Sequence, residues 1–115
     1  MSSSGLSTVL YPVTDLARAK ALFTALLGEP AIDEPYYVHY QVGEQELGLV
    51  PNGREQQGMT GATPFWLVDD ISDQLSRLVS AGAEEVQPVR DVGQGRLVAS
   101  VKDADGNMIG LMQNP

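Results

Sequence analysis

Cysteine is absent from this 115-residue chain, and histidine occurs once, at His39. The first absence excludes disulfides, thiol catalysis and cysteine-ligated metals. The second excludes any site built from several histidines. No apolar run approaches the roughly 20 residues of a membrane-spanning helix. Residues 1–5 lack the basic and apolar pattern of a secretory signal, so a cytoplasmic location is expected. Positive charge is also scarce. Seven Lys and Arg stand against fifteen Asp and Glu, a formal net charge of −8. That balance argues against nucleic acid and anionic membrane as partners, because both repel an acidic surface. It is compatible with neutral or cationic small ligands.

An apolar share of 43% in a chain of this length fits one globular domain with a modest core. The clearest local signal is residues 98–113, VASVKDADGNMIGLMQ. Val98, Ser100 and Lys102 alternate with Ala99 and Val101, the two-residue period of a strand. Asp103, Ala104, Asp105, Gly106 and Asn107 then form an acidic turn, and residues 108–112 return as a second strand. Asp103 and Asp105 suggest a calcium loop, but the remaining acidic positions of an EF-hand are missing, and a structural turn is expected.

Earlier in the chain, residues 6–13 read as a strand and Asp15 as a helix cap. Leu16, Ala19, Phe23, Leu26 and Leu27 follow at helical spacing. Gly28 and Pro30 end that helix. Residues 32–36 read as a short edge strand. Val38, Tyr40 and Val42 alternate with Tyr37, His39 and Gln41, and residues 46–50 return after a Gly43–Glu44 turn. Residues 51–62 are polar and glycine-rich and read as a linker. The order then repeats. Residues 63–68 form a strand, Asp70 caps a helix carrying Ile71, Leu75, Leu78 and Val79, and Gly82 ends it. Asp15 and Asp70 stand 55 residues apart, as do Val13 and Val68. A unit this small cannot bury its own apolar face, so two units must pair. The expected fold is α+β: two paired βαβββ modules, about 6–50 and 63–113, forming a curved mixed sheet, a cup, with helices on its outer face.

This pattern resembles the vicinal oxygen chelate superfamily of glyoxalase I, extradiol dioxygenases and bleomycin-resistance proteins. The resemblance spans residues 6–113. It rests on Val13-Thr14-Asp15-Leu16, on Phe23 with Leu26-Leu27-Gly28, on Val68-Asp69-Asp70-Ile71, on Ala81-Gly82-Ala83, and on Lys102-Asp103-Ala104-Asp105-Gly106-Asn107. It implies metal ligands, His or Glu, on the first and last strand of each module. The matching positions here are Thr8, Gly48, Thr63 and Gly110. Glycine has no ligand atom, and a neutral hydroxyl is a poor ligand for first-row divalent ions. The resemblance therefore implies a member without the shared metal site and without a cofactor.

A metal-free cup leaves room for a guest above Gly48 and Gly110, oriented by the hydroxyls of Thr8 and Thr63. The two-residue period puts Leu10 and Pro12 beside Thr8, and Phe65 and Leu67 beside Thr63. It puts Glu46 and Val50 beside Gly48, Met108 and Met112 beside Gly110, and Tyr37, His39 and Gln41 next to them. Such a wall suits an aromatic or cationic small molecule. Trp66 alternates away from Phe65 and is expected under a helix, and Tyr40 in the core. Arg54, Arg90 and Arg96 are scattered in sequence and suggest no phosphate site. The functional expectation is a metal-independent binding protein resembling bleomycin-resistance proteins, which sequester a drug or metabolite. The alternative is a glyoxalase-superfamily enzyme, an isomerase, lyase or dioxygenase, either cofactor-free with His39 or Glu46 as acid or base, or metal-dependent through relocated ligands. The resemblance also implies a homodimer.

Overall fold

The computed structural model describes residues 4–115. The elements run β1 (Gly5–Val13), α1 (Leu16–Leu27), β2 (Ile32–Glu34), β3 (Tyr37–Val42), β4 (Gln45–Pro51), α2 (Gly53–Gln57), β5 (Thr63–Leu67), α3 (Ile71–Ser80), β6 (Glu84–Asp91), β7 (Leu97–Lys102) and β8 (Met108–Gln113). All eight strands belong to one sheet in the order β2-β3-β4-β1-β5-β8-β7-β6. The first four and last four positions repeat one βαβββ arrangement. β4 lies parallel to β1, β8 lies parallel to β5, and the modules join where β1 and β5 run antiparallel. The sheet curves but is not closed.

Both long helices start on a side-chain cap of the same geometry. Asp15 accepts a hydrogen bond from the Arg18 N–H at 3.0 Å, and Asp70 accepts one from the Asp73 N–H at 3.1 Å. Each carboxylate satisfies an orphan donor of the first turn. Beneath α1, Val38, Tyr40 and Leu49 are buried against Leu16, Ala19, Phe23 and Leu27. The Tyr40 hydroxyl donates to the Lys20 carbonyl and shares a 2.8 Å bond with Thr24 Oγ1, so the buried polar end is satisfied. Beneath α3, Val68, Ile71, Ala99 and Leu111 pack with Leu75 and Leu78.

Four apolar residues depart from the sequence reading, the first being Val42 at the end of β3, which shares the face of Val38 and Tyr40 yet is exposed. Leu26 and Val79 point to solvent, off the stripes that face the sheet. Trp66 is on the outer face, as its alternation requires, yet 38% exposed. α1 packs on β3, β4 and the Tyr11–Val13 end of β1, and α3 on β6, β7 and β8, so the Leu6 and Trp66 end of the β1–β5 seam stays uncovered. Trp66 lies there opposite Leu6.

Residues 51–62 do more than connect. They contain α2, and Met59 beyond it is buried. A Cβ on Gly53 would lie 2.7 Å from Met59 Sδ, and one on Gly58 would lie 2.9 Å from Val86 of β6. This segment therefore packs against both modules: Gly53 lies by Pro12 and Val50 of the first, and Gly58 by Val86 of the second. The acidic turn is structural, as expected. Asp103 Oδ1 accepts from the N–H groups of Asp105 and Asn107, and Oδ2 from the Asn107 amide. These bonds, the Asn107 side chain first, hold the Asp103 carboxyl below its ordinary pKa.

The equal cap geometry predicts equal costs. Asp15→Ala and Asp70→Ala should each lower unfolding free energy by about 1 kcal/mol, read from urea midpoints with unchanged slopes.

Candidate functional site

The concave face is built from alternate residues of the inner strands. On β1, the pairing with β5 shifts between Leu6 and Thr8. This bulge brings Ser7 and Thr8 toward the same side. Both hydroxyls reach Met112 Sδ, at 3.6 and 3.9 Å, and lie 3.4 Å from each other. Phe65, Val98 and Met112 form an apolar cluster on this face, with Leu10 and Leu67 packed against it.

A cavity of about 830 Å³ opens above this floor. Its apolar wall includes Leu10, Val50, Phe65, Val98 and Met112. Thr8, Tyr36 and Tyr37 extend the wall. The turn between β6 and β7 supplies Gly93, Gln94 and Arg96 along the rim, and Arg90 projects from β6. Of the residues expected from sequence, Thr8, Leu10, Tyr37, Glu46, Val50, Phe65 and Met112 line this space. Thr63 and Met108 instead border a void of about 10 Å³ beside Met59, room for about one water. Met59 thus nearly fills the space on the Thr63 and Met108 side of Phe65. Gln41 donates to the carbonyls of Gly43 and Gln45 and serves its own hairpin.

The two glycines do not leave room for a guest. A Cβ on Gly48 would lie 2.5 Å from the Tyr37 hydroxyl and 2.7 Å from Leu10 Cδ2. A Cβ on Gly110 would lie 2.5–2.7 Å from the Phe65 ring. Phe65 is the direct cross-strand partner of Gly110. The space that a side chain would take is occupied by the protein's own rings.

The same observation tests the metal site implied by the resemblance. At Gly48 and Gly110 the ligand-bearing direction is filled by Tyr37 and Phe65. The Thr63 hydroxyl donates to the Gly61 carbonyl, and that of Thr8 lies against sulfur and Ser7. This donor set does not fit a first-row divalent ion. Among the described residues no group of three His, Asp or Glu is placed to hold one elsewhere.

Glu46 is the polar centre of the first module's half. Its Oε1 lies 3.1 Å from His39 Nε2, and its Oε2 accepts from Arg96 Nη2 at 3.2 Å. Burial pushes the Glu46 pKa up. The Arg96 hydrogen bond and charge, with His39 behind them, outweigh burial and hold the group below its ordinary value. Arg96 also bonds Asn114 through Nε. The Glu46–Arg96 pair therefore links β4 of one module to the β6–β7 turn of the other across the cup. Burial, and then the Glu46 charge, raise the Tyr37 phenol above its ordinary pKa. His39 does not border the cavity. Its ring stacks near Tyr37 with centroids 6.2 Å apart, and its Nδ1 is buried with no hydrogen-bond partner among the described residues.

Sequence reasoning missed Arg90, Arg96 and Ser7. Arg96 is far in sequence from Glu46, which it joins, and only the β6–β7 hairpin brings both arginines to the cup. No two-residue period reveals a bulge, so nothing in the sequence marked Ser7.

Comparison with known proteins agrees with this geometry. The family model described as the Glyoxalase/Bleomycin resistance protein/Dioxygenase superfamily matches residues 5–111. A curated protein of Mycobacterium bovis named "Putative glyoxylase CFP32" is 26% identical over 111 residues, covering 87% of this chain and 42% of its own length. The chain thus spans about two fifths of that relative. Among solved structures, a glyoxalase/bleomycin resistance protein/dioxygenase superfamily member from Vibrio splendidus 12B01 superposes with a TM-score of 0.71. It is 17% identical, over 95% of this chain and 99% of the other. Methylmalonyl-CoA epimerase from Mycobacterium tuberculosis gives a TM-score of 0.69 at 19% identity, over 98% and 89%. At these identities the likeness is one of fold.

Two predictions follow from the site. Gly110→Ala should cost about 1–3 kcal/mol through the Phe65 clash, and Phe65→Leu in the same chain should recover part of it. A double-mutant cycle measured by denaturant unfolding reads that coupling, and additive costs would remove the ring from the explanation. The lowered Glu46 pKa means the folded state holds its carboxylate more tightly than the unfolded chain does. That stabilisation is present above the ordinary glutamate range, about pH 4.3. It is lost as pH falls from there through the lowered folded value. In Arg96→Gln the Glu46 pKa should rise, followed by carboxyl NMR titration, and the acid-side loss of stability should shrink.

Proposed function

The chain belongs to the glyoxalase/bleomycin resistance protein/dioxygenase superfamily, and we propose that it binds a small organic molecule in its cup without a metal ion. In this reading it acts as the bleomycin-resistance type is expected to act, by holding its ligand rather than transforming it. The observation that carries the reading is the pairing of two features on one face. An 830 Å³ space with an apolar floor and a few polar groups has the size and lining of a small-molecule site. The four positions where the superfamily's metal ligands are expected hold Thr8, Gly48, Thr63 and Gly110, and rings cover the glycines.

The enzymatic alternative needs a poised acid or base. Glu46 is tied to His39 and Arg96, and its lowered pKa makes it a weak base near neutral pH. His39 does not line the cup and meets it through Glu46 and Tyr37, and its second nitrogen is buried. These features favour a binding role for both residues: they fix the cup's wall.

The test is a thermal-shift panel of neutral, cationic and anionic aromatic compounds. A ligand at 100 times its dissociation constant should add about 2.7 kcal/mol of stability. Leu10→Trp, which fills the cavity, should abolish the shift. Tyr36→Ala, at an exposed wall position that the fold does not need, should weaken it. Shifts that persist in folded Leu10→Trp, or no shift with any compound, would sink the reading.

A further inference from the structure

We propose that the ligand of the cup is an anion: an apolar or aromatic body carrying one negatively charged head, which Arg90 and Arg96 receive at the rim. This rests on the preceding reading that the cup is a binding site, and it goes further by assigning the ligand's charge.

The chain as a whole is strongly acidic, and its net charge of −8 taken alone suggests a cationic ligand. The cavity has the opposite character. Of fifteen acidic residues only Glu46 lines it, whereas two of the seven basic residues, Arg90 and Arg96, do so. Glu46 is already answered by Arg96. Arg90 is not answered: its guanidinium has no hydrogen bond or ion pair among the described residues. The neighbouring Asp91 accepts from the Gly93 N–H in its own turn and does not line the cavity. Arg96 retains spare donors beyond its bonds to Glu46 and Asn114, since a guanidinium carries five N–H groups.

The placement of Arg90 is fixed by register. It pairs with Val98, which belongs to the apolar cluster of Phe65 and Met112 on the cup floor. Arg90 is itself exposed at the rim, so it stays available to an incoming anion and its attraction is felt through solvent and screened by salt. A cationic guest would meet a free guanidinium and a carboxylate that is already paired. An anionic guest would meet a free guanidinium next to a floor of Leu10, Val50, Phe65, Val98 and Met112. Its apolar body would lie on that floor, and Tyr36 and Tyr37 would flank it.

Two fluorescent probes separate charge from shape. 8-Anilinonaphthalene-1-sulfonate and N-phenyl-1-naphthylamine share an anilinonaphthalene body, and only the first bears an anion. Each is titrated into the folded protein and into variants whose thermal unfolding is intact. The sulfonate should bind more tightly by roughly tenfold, the scale of one charge-assisted hydrogen bond. Arg90→Gln should remove that advantage and leave the neutral probe within about twofold. Arg18→Gln, which makes the same charge change on the exposed face of α1, should alter neither probe. Added salt should weaken the sulfonate alone.

Equal affinities for the two probes, both lost in Leu10→Trp, would overturn the anion assignment and leave the binding cup standing. Equal losses in Arg90→Gln and Arg18→Gln would also overturn it, because overall charge would then explain the preference. No binding of either probe, or binding untouched by Leu10→Trp, would overturn the assignment and the cup reading together.

Discussion

The β1–β5 pairing is the contact on which every functional position depends. Each module alone presents one curved half-sheet with a helix behind it. The antiparallel seam, from Gly5 opposite Leu67 to Leu10 opposite Thr63, makes the halves one surface. It sets Thr8 beside Phe65, and Phe65 in turn beside Gly110. A one-residue slip of β1 would send Thr8 and Leu10 to the outer face and bring Val9 inward, and one of β5 would exchange Phe65 for Trp66. The bulge at Ser7 fits that seam to the curvature and adds a hydroxyl to the floor.

Across the seam, electrostatics complete what backbone pairing begins. Glu46 and Arg96 lie in different modules, and their ion pair spans the mouth of the cup. A partly exposed pair of this kind contributes little to stability by itself. Its larger effect is positional. It holds the β6–β7 turn over the floor, and with that turn come Gln94 and the arginine-bearing rim. His39 holds the other side of Glu46, so two side chains, from β3 and from the β6–β7 turn, share one carboxylate.

The repeat, the two aspartate caps, the glycine stops and the acidic hairpin were legible because each is a local pattern with a local cause. Val38 and Tyr40 could be assigned to the core from alternation alone. Much of the cup floor followed from the same period. The sequence hid three kinds of information. A glycine shows that space exists but not which neighbour fills it, so Tyr37 and Phe65 could not be foreseen above Gly48 and Gly110. Residues 51–62 look like a polar tether because their one apolar anchor, Met59, has no periodic companion. Arg96 stands 50 residues from Glu46, a distance no motif spans. Trp66 marks the limit of alternation: its face was predictable, whereas the absence of helix cover over its end of the seam depends on where α1 and α3 come to rest.

The ring-over-glycine contacts bear on how such a cup could change. A histidine or glutamate introduced at Gly110 alone would collide with Phe65 before it could bind anything. One introduced at Gly48 would meet Tyr37 and Leu10. Neighbouring pairs, rather than single positions, therefore define the chemistry available here. A route from this cup to a metal-bearing one begins by shrinking the aromatic residue, at a step that brings no new activity and loosens the fold. Selection acting one substitution at a time meets a barrier there, and the two rings act as a ratchet.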